Sequence, residues 1–426
     1  MNILMVSPFD LVTERLWGPT IRLHSLAKEL IRAGHQVTLA GPPPYFGPTP
    51  EILDTVPMYY FSRPFHRYPY PDDDGRKQRE HNNLRRWLPL VLWSRFLEVN
   101  SLLKEKKIDV LVVNRTFLDT AYPSYFARLL RKVPYVCDWD DLEGMHGFST
   151  SFRAPLHLQL FETFNEVTFP RLAGSTVGAS RYLVEFAEKL GVKNNRLFYA
   201  PSVADSEHFH PDVSGNEIRK KHKLDGDYKV LMYCGNLMRG NGVKVENIMF
   251  MMARLLKLDP SYRLLVVGAG DLVTRRSGRG GLLVRLSRRL GIRDKVIFTG
   301  GVPYQEVPRH IAAADLCLAL FPVNVITMTK SPLKVYEYMA AGKPVAARAV
   351  GDIAECVLDQ VTGILVHSDD PEEYADKIHK LFQDENTLAE MGSAARKRID
   401  EHYLWAHSAA VMEKACEISR GAAKKS

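Results

Sequence analysis

The chain of 426 residues carries 57 Lys and Arg against 49 Asp and Glu, a formal net charge of +8, and is 46% hydrophobic and 25% charged. These proportions are ordinary for soluble globular proteins and exclude a disordered or collagenous chain, and at roughly 100 to 200 residues per domain the length implies two or three domains. No apolar run approaches the roughly 18 residues of a spanning helix, and the opening MNILMVSPFD lacks the pattern of a signal peptide, so a cytoplasmic location is expected.

Short apolar, β-branched runs alternate with helical patterns along the chain, which predicts βαβ units and parallel sheets. The first series of strands is expected at 3–6, 36–40, 110–113, 135–137 and 197–199. A polar, proline-bearing stretch at 201–216 then reads as a linker. The second series is expected at 230–233, 264–267, 296–298, 316–320, 345–347 and 364–366. The fold class is therefore α/β: two doubly wound domains, 1–200 and 217–400, followed by an amphipathic helix and tail at 401–426. In such folds ligands bind at the C-terminal edges of the strands. The five cysteines are odd in number, widely spaced and never in a CxxC pair, so neither a disulfide framework nor a zinc site is suggested. They read as core fillers, and all but Cys416 lie in apolar strand-like or helix-like segments.

Several stretches bear chemistry, taken in chain order. LRRWLPLVLWSRF at 84–96 sets Trp87 and Trp93 beside Arg85, Arg86 and Arg95, which suits either a helix packed on the first sheet or contact with an anionic membrane surface. DWDDLEGMHG at 138–147 brings acidic residues and His146 to the end of a strand, with a loop of solvated carboxylates as the plain alternative. VVGAG at 266–270 opens like a dinucleotide fingerprint, but the third glycine would fall at Val273, and a phosphate-side turn explains it equally well. The basic stretch at 275–289 reads as a solvated helix face. No zinc-finger, RRM or KH signature accompanies the positive charge, so nucleic acid is not an expected partner.

The most informative stretch is TKSPLKVYEYMAAGKPVAA at 329–347. Ser331 is a good N-cap, Pro332 suits the first helical position, and Gly342 and Pro344 close the other end, which predicts a helix of about ten residues. Lys330 and Lys334 flank its N-terminus, where cations oppose the helix dipole unless an anion binds there. Glu337 lies one turn further on the same face as Lys334, where a carboxylate can accept hydrogen bonds from two hydroxyls. A diphosphate with its ribose fits this pattern; so does a capped helix with solvated lysines.

This helix, the later AVGDIAECVLDQVTGILV and the opening WGPTIRLHSLAKELIRAGHQVTLA resemble the GT-B-fold retaining glycosyltransferases of family 4. Pro201, Asp205 and Phe209 keep the spacing of that family's Pro-Asn-Gly-Val-Asp…Phe segment, so the resemblance is nearly chain-long. It implies GT-B architecture, with two facing Rossmann-like domains and a cleft between them. It also implies transfer of a sugar from a nucleotide-diphosphate-sugar donor to a hydroxyl of a glycan or lipid-linked acceptor, with retention of anomeric configuration. The enzyme would be a hexosyltransferase of polysaccharide or glycolipid biosynthesis, either soluble in the cytoplasm or peripheral at the inner face of a membrane, with no cofactor, no metal and no nucleic-acid partner.

Carried over by position, the donor-binding set is Gly18, Gly235, Asn236, Asn241, Lys330, Ser331, Lys334 and Glu337, with Trp17 and His146 on the acceptor side. Lys334, Glu337, Asp140 and Asp141 are the candidate catalytic residues, one of the two aspartates meeting the acceptor hydroxyl. The chain departs from the family pattern at three places. Thr329 stands where the first Glu of the Glu-seven-residues-Glu motif belongs, and Asn236 and Asn241 replace an Arg and a Lys that neutralise the donor diphosphate. Lys330, Lys334, Arg239 and Lys244 are the cations that could substitute. These departures motivate the alternatives of a catalytically silent partner or scaffold and, on the same fold, a sugar-nucleotide epimerase.

Overall fold

A computed structural model describes residues 1–11, 18–44, 49–62, 88–238, 244–273 and 280–423. The chain divides into two compact units, Met1–Ser202 with Trp405–Ser426, and Val203–Leu404.

In the first unit the fully buried runs Ile3–Val6 and Val110–Val113 form neighbouring central strands, because only a strand covered on both faces is apolar at every position. The sheet contains β1 (Asn2–Val6), β2 (Gln36–Gly41), β3 (Ile52–Leu53), β4 (Val56–Tyr60), β5 (Val110–Asn114), β6 (Tyr135–Trp139), β7 (Ser175–Gly178) and β8 (Leu197–Tyr199). They are ordered β3-β4-β2-β1-β5-β6-β7-β8. Every pairing is parallel except β3 with β4.

Helices of this unit include α1 (Gly18–Arg32), α2 (Leu88–Glu105), α3 (Leu118–Arg131), α4 (Leu156–Leu172) and α5 (Arg181–Lys189). Arg95 of α2, read in the sequence as part of a basic run, is buried on Asp119, while Arg85, Arg86 and Trp87 lie outside the described residues. From β1 the chain crosses to β2 in one direction, whereas β4 to β5, β5 to β6 and β6 to β7 run in the other. Right-handed crossovers therefore place α1 on one face of the sheet and α2, α3 and α4 on the opposite face. The second sheet is wholly parallel, in the order β11-β10-β9-β12-β13-β14. Its strands are β9 (Lys229–Cys234), β10 (Tyr262–Val267), β11 (Val296–Gly300), β12 (Leu316–Ala319), β13 (Val345–Arg348) and β14 (Gly363–Val366). Its order reverses between β9 and β12, and α6 (Leu333–Ala340) follows β12.

All eleven expected strands are present, within two residues of the expected bounds at each end. Three further strands, β3, β4 and β7, carried no clear signal. Strand β7 reads Ser-Thr-Val-Gly, buried throughout yet half polar, so its pattern is invisible to hydrophobic periodicity.

The linker expected at 201–216 belongs almost entirely to the second unit. Phe209 is fully buried there, and Arg396 bonds the carbonyls of Ser206, Phe209 and Ala340. The terminal helix also differs from expectation. The helix Glu385–His402 ends just inside the range expected for the tail, and α7 (Trp405–Ala423) returns to the first unit, packing on α1 and on β5 to β8. That packing buries Cys416, the one cysteine placed outside the apolar segments; Cys137, Cys317 and Cys356 are buried too, and Cys234 is half-buried. All five are free thiols.

Candidate functional site

The reversal of strand order in the second sheet opens a crevice at the C-terminal ends of β9 and β12, where doubly wound folds bind ligands. Gly235 leaves β9 there with φ +152°, a backbone that side-chain-bearing residues rarely adopt. A Cβ on Gly235 would lie 2.2 Å from Lys334 Nζ, so the glycine is what admits the ammonium. Lys334 Nζ donates to the Tyr233 hydroxyl at 3.2 Å and lies 4.4 Å from the centre of that ring and 5.3 Å from that of Phe321. The Tyr338 hydroxyl accepts from the Cys234 amide at 2.8 Å, tying the end of β9 to α6. Gly268 belongs to the same construction: a Cβ on it would lie 1.9 Å from the Gly235 carbonyl oxygen, so VVGAG is a tight turn that lets β10 close against β9.

One turn along α6, the buried carboxylate of Glu337 accepts from the Tyr304 hydroxyl at 3.0 Å. Tyr304 is itself fixed, its ring stacked on His208 at 5.1 Å and edge-on to Phe209 at 5.6 Å. Burial pushes the Glu337 carboxyl up to about 7, against the hydrogen bond from Tyr304 and the charge of Lys334. Burial likewise lowers the Lys334 ammonium to about 8, against the fields of Cys234 and Glu337. Both groups are thus held where their charged forms are poorly solvated, which an arriving anion and arriving hydroxyls would relieve.

The rest of the expected donor set is placed unevenly. Helix α6 has eight residues, and its cap position is Pro332 rather than Ser331, with no side-chain cap. Lys330, Ser331 and Pro332 are half-buried at the approach to it. A helix end without a side-chain cap keeps backbone donors for an anion. Thr329 is fully buried and donates to the Ile326 carbonyl at 3.0 Å, so this position faces the protein interior. Asn236 is exposed, and its Oδ1 accepts from the Met238 amide at 3.0 Å. Lys244 is exposed, while Arg239 and Asn241 lie outside the described residues. In the first unit Gly18 opens α1, and a Cβ there would meet no described atom within 4 Å, so packing among these residues does not demand glycine. Trp17 lies outside the described residues.

The acidic loop is not the set of solvated carboxylates that was the plain alternative. Arg115, missed in the sequence, follows β5 with φ +59° and is buried against the ring of Phe9, 4.8 Å from its centre. Its Nε donates to Asp140 Oδ1 at 2.6 Å, its Nη2 to Asp141, and its Nη1 to Glu143. Burial disfavours this guanidinium, yet the fields of the three carboxylates raise its pKa well above the ordinary value. Asp140 and Glu143 are therefore buried counter-ions rather than solvated carboxylates, and Asp141 is half-buried. His146 is exposed with φ +74°. Glu166 accepts from the Glu143 and Gly144 amides beneath the loop, and burial pushes its carboxyl up to about 8. Among the described residues no group of three or more His, Cys, Asp or Glu is arranged to hold a metal ion.

The sequence models of two families match this chain, Glycosyl transferase 4-like domain over residues 18–202 and Glycosyl transferases group 1 over residues 214–398. The chain belongs to the family 4 glycosyltransferases. Among curated relatives, it is 29% identical over 212 residues to the GDP-mannose-dependent alpha-(1-6)-phosphatidylinositol monomannoside mannosyltransferase of Mycobacterium tuberculosis, covering 49% of this chain and 52% of that one. It is 30% identical over 245 residues to the D-inositol 3-phosphate glycosyltransferase of Corynebacterium aurimucosum, covering 57% and 55%. The chain thus spans about half the length of the curated relatives it matches.

Solved structures resemble this family member along nearly its whole length, two of them as follows. Sucrose-phosphate synthase from Thermosynechococcus elongatus superposes with a TM-score of 0.72 at 18% identity, covering 100% of both chains. Anabaena HepE in complex with UDP and glucose superposes with a TM-score of 0.70 at 16% identity, covering 97% and 98%. At such identity they establish the fold alone, the GT-B architecture of two parallel-sheet domains.

Proposed function

We propose that the protein is a retaining hexosyltransferase that moves a sugar from a nucleotide-diphosphate-sugar donor to a hydroxyl of a glycan or lipid-linked acceptor. The second unit holds the donor and the first the acceptor. The reading rests on the meeting of Lys334, Gly235 and the start of α6 at the point of strand-order reversal, one turn from the buried carboxylate of Glu337. The donor diphosphate takes the ammonium and the backbone donors at the start of α6, while its ribose hydroxyls donate to Glu337. The curated relatives support the substrate class, since one is named for GDP-mannose and a phosphatidylinositol mannoside and the other for inositol phosphate.

In this mechanism catalysis is chiefly electrostatic. Charge grows on the leaving diphosphate toward the transition state, and preorganised donors stabilise it most at that moment. Lys334 and Lys330 supply the positive charge that Asn236 no longer provides, without a metal ion. On the acceptor side Arg115 pairs with both Asp140 and Asp141, and the exposed His146 is the residue that offers polar contact with the acceptor.

Incubation with a panel of nucleotide sugars, with and without a lipid extract as acceptor, tests the reading. Labelled sugar should move to the acceptor. A product formed from donor alone would indicate an epimerase, and no turnover with any donor a silent partner. Lys334→Ala should lower single-turnover transfer at saturating donor more than it lowers donor affinity, by about 1.5 to 3 kcal/mol in the barrier for one charged hydrogen bond. Transfer at the wild-type rate would remove Lys334 from the leaving-group site.

A further inference from the structure

The loop after β6 presents four consecutive backbone amides, Glu143 to His146, and side chains satisfy each of them. Glu166 accepts from the Glu143 amide at Oε1 and from the Gly144 amide at Oε2, the latter at 2.8 Å. Thr163 Oγ1 accepts from the Met145 amide at 2.7 Å. The His146 amide donates to Thr150 Oγ1 at 3.1 Å, and that hydroxyl donates in turn to Gln159 at 2.8 Å. Gln159, Thr163 and Glu166 stand at i, i+4 and i+7 on α4, so one face of a single helix receives the loop in register.

Two glycines make that seating close. A Cβ on Gly144 would lie 2.4 Å from Thr163 Oγ1 and 2.7 Å from Glu166 Oε2, and one on Gly147 would lie 2.2 Å from the Leu142 carbonyl oxygen. Between them His146 keeps a side chain at φ +74°, exposed to solvent. A left-handed backbone is costly to a residue with a Cβ and persists where the surroundings impose it. Here the amides tied to α4 impose it, and what the cost secures is an imidazole on the loop at the C-terminal end of β6, where doubly wound folds bind ligands.

The holding group is sensitive to protonation. A carboxylate accepts at both oxygens, whereas the neutral acid must donate from one of them, and both of its partners here are donors. Burial pushes the Glu166 carboxyl up to about 8, against the two amides and the charge of Arg115, while the charge of Glu143 adds to the rise. Asp140 and Asp141 share Arg115, the Cys137 thiol of β6 lies in the field of Glu166, and the buried Glu162 stands one turn before it on α4. The loop is therefore fully latched above about 8 and loses one amide contact below it.

We infer that Gln159, Thr163 and Glu166 are positioning residues for sugar transfer, which hold His146 toward the acceptor through the loop backbone, Glu166 acting as a carboxylate. The inference rests on the proposed function for its acceptor, but the latch itself is read without transfer. The first measurement is a pH titration of the Gly144 amide in protein labelled with 15N-glycine, the signal being assigned by its loss in Gly144→Ala. The amide proton should move downfield as pH rises through about 8, because the charge-assisted hydrogen bond is the stronger one, and Glu166→Gln should remove that step. The second measurement is single-turnover transfer of labelled sugar to a lipid extract at saturating donor. Gln copies the neutral acid, so the rate of Glu166→Gln relative to the wild type should fall from near parity at about pH 6 to about one-tenth at about pH 9. The ratio cancels donor-site limits common to both proteins, and a merely structural role would lower it equally at every pH. His146→Gly should transfer about tenfold more slowly at about pH 9 yet unfold no earlier than the wild type, since glycine accepts the left-handed backbone. Nucleoside diphosphate affinity should be unchanged in both variants. A Gly144 amide without a step near 8, a rate ratio independent of pH, or wild-type transfer by His146→Gly would overturn the inference. If the wild type transfers sugar to no acceptor, the proposed function fails, and the Gly144 titration alone then upholds or overturns the latch.

Discussion

Glu337 and Lys334 hold their charges at a cost, and that cost has a pH signature. The Glu337 carboxyl is raised from 4.5 to about 7, so the stability it contributes to the ligand-free protein is present below 4.5 and is lost as pH rises to about 7. The Lys334 ammonium is lowered from 10.5 to about 8, so its contribution is present above 10.5 and is lost as pH falls to about 8. Between about 7 and 8 both groups are charged, and their joint contribution to stability is lowest. Nucleotide affinity should run the opposite way, because a diphosphate needs the ammonium and ribose needs the carboxylate. Calorimetry of nucleoside diphosphate binding across pH should show a maximum between about 7 and 8. Glu337→Gln should abolish the acid limb and Lys334→Met the alkaline one; an unchanged profile in both variants would place the nucleotide elsewhere. The two residues were legible from their spacing on a single helix. Tyr304, which orients Glu337 from 33 positions away, was not, because nothing local to it marks the contact.

At the scale of elements, Arg115 fastens the end of β5 to the loop after β6 through three carboxylates. Removing one partner of a buried ionic cluster strands the others, so Arg115→Met should destabilise the first unit by about 3 to 5 kcal/mol in thermal or denaturant unfolding. Adding Asp140→Asn and Glu143→Gln to that variant should recover part of the loss; no recovery would mean that Arg115 acts through packing on Phe9 alone. The sequence showed acids after a strand, a pattern that suits an acceptor site and a counter-ion shell equally. The cation that pairs these acids lies 25 to 28 residues upstream, just after the neighbouring strand.

At the scale of the whole molecule, the chain leaves its first unit at Ser202 and returns to it at Trp405. Helix α7 buries Met412, Ala415 and Cys416 on that unit and joins His35 to Glu413 at 2.8 Å. A chain ending at Leu404 should therefore lose the cooperative unfolding of the first unit while the second keeps its nucleoside diphosphate affinity. Two-transition calorimetry with and without nucleotide reads both. A first transition that survives the deletion would show that α7 is dispensable to that unit.

The sequence by itself determined the alternation of strands and helices, the approximate bounds of α6, and the presence of Lys334 and Glu337 on one of its faces. Each of these is written within about ten neighbouring residues, in periodicity, turn residues and caps. The tertiary structure alone decided that Arg22 and Asp138, 116 positions apart, pair at 2.7 Å in the core. It also decided that Gly235 makes room for Lys334 and that the supposed linker is part of a core. Such contacts exist only once parallel strands have been brought side by side by crossovers, and a parallel sheet joins residues that no short window of sequence contains.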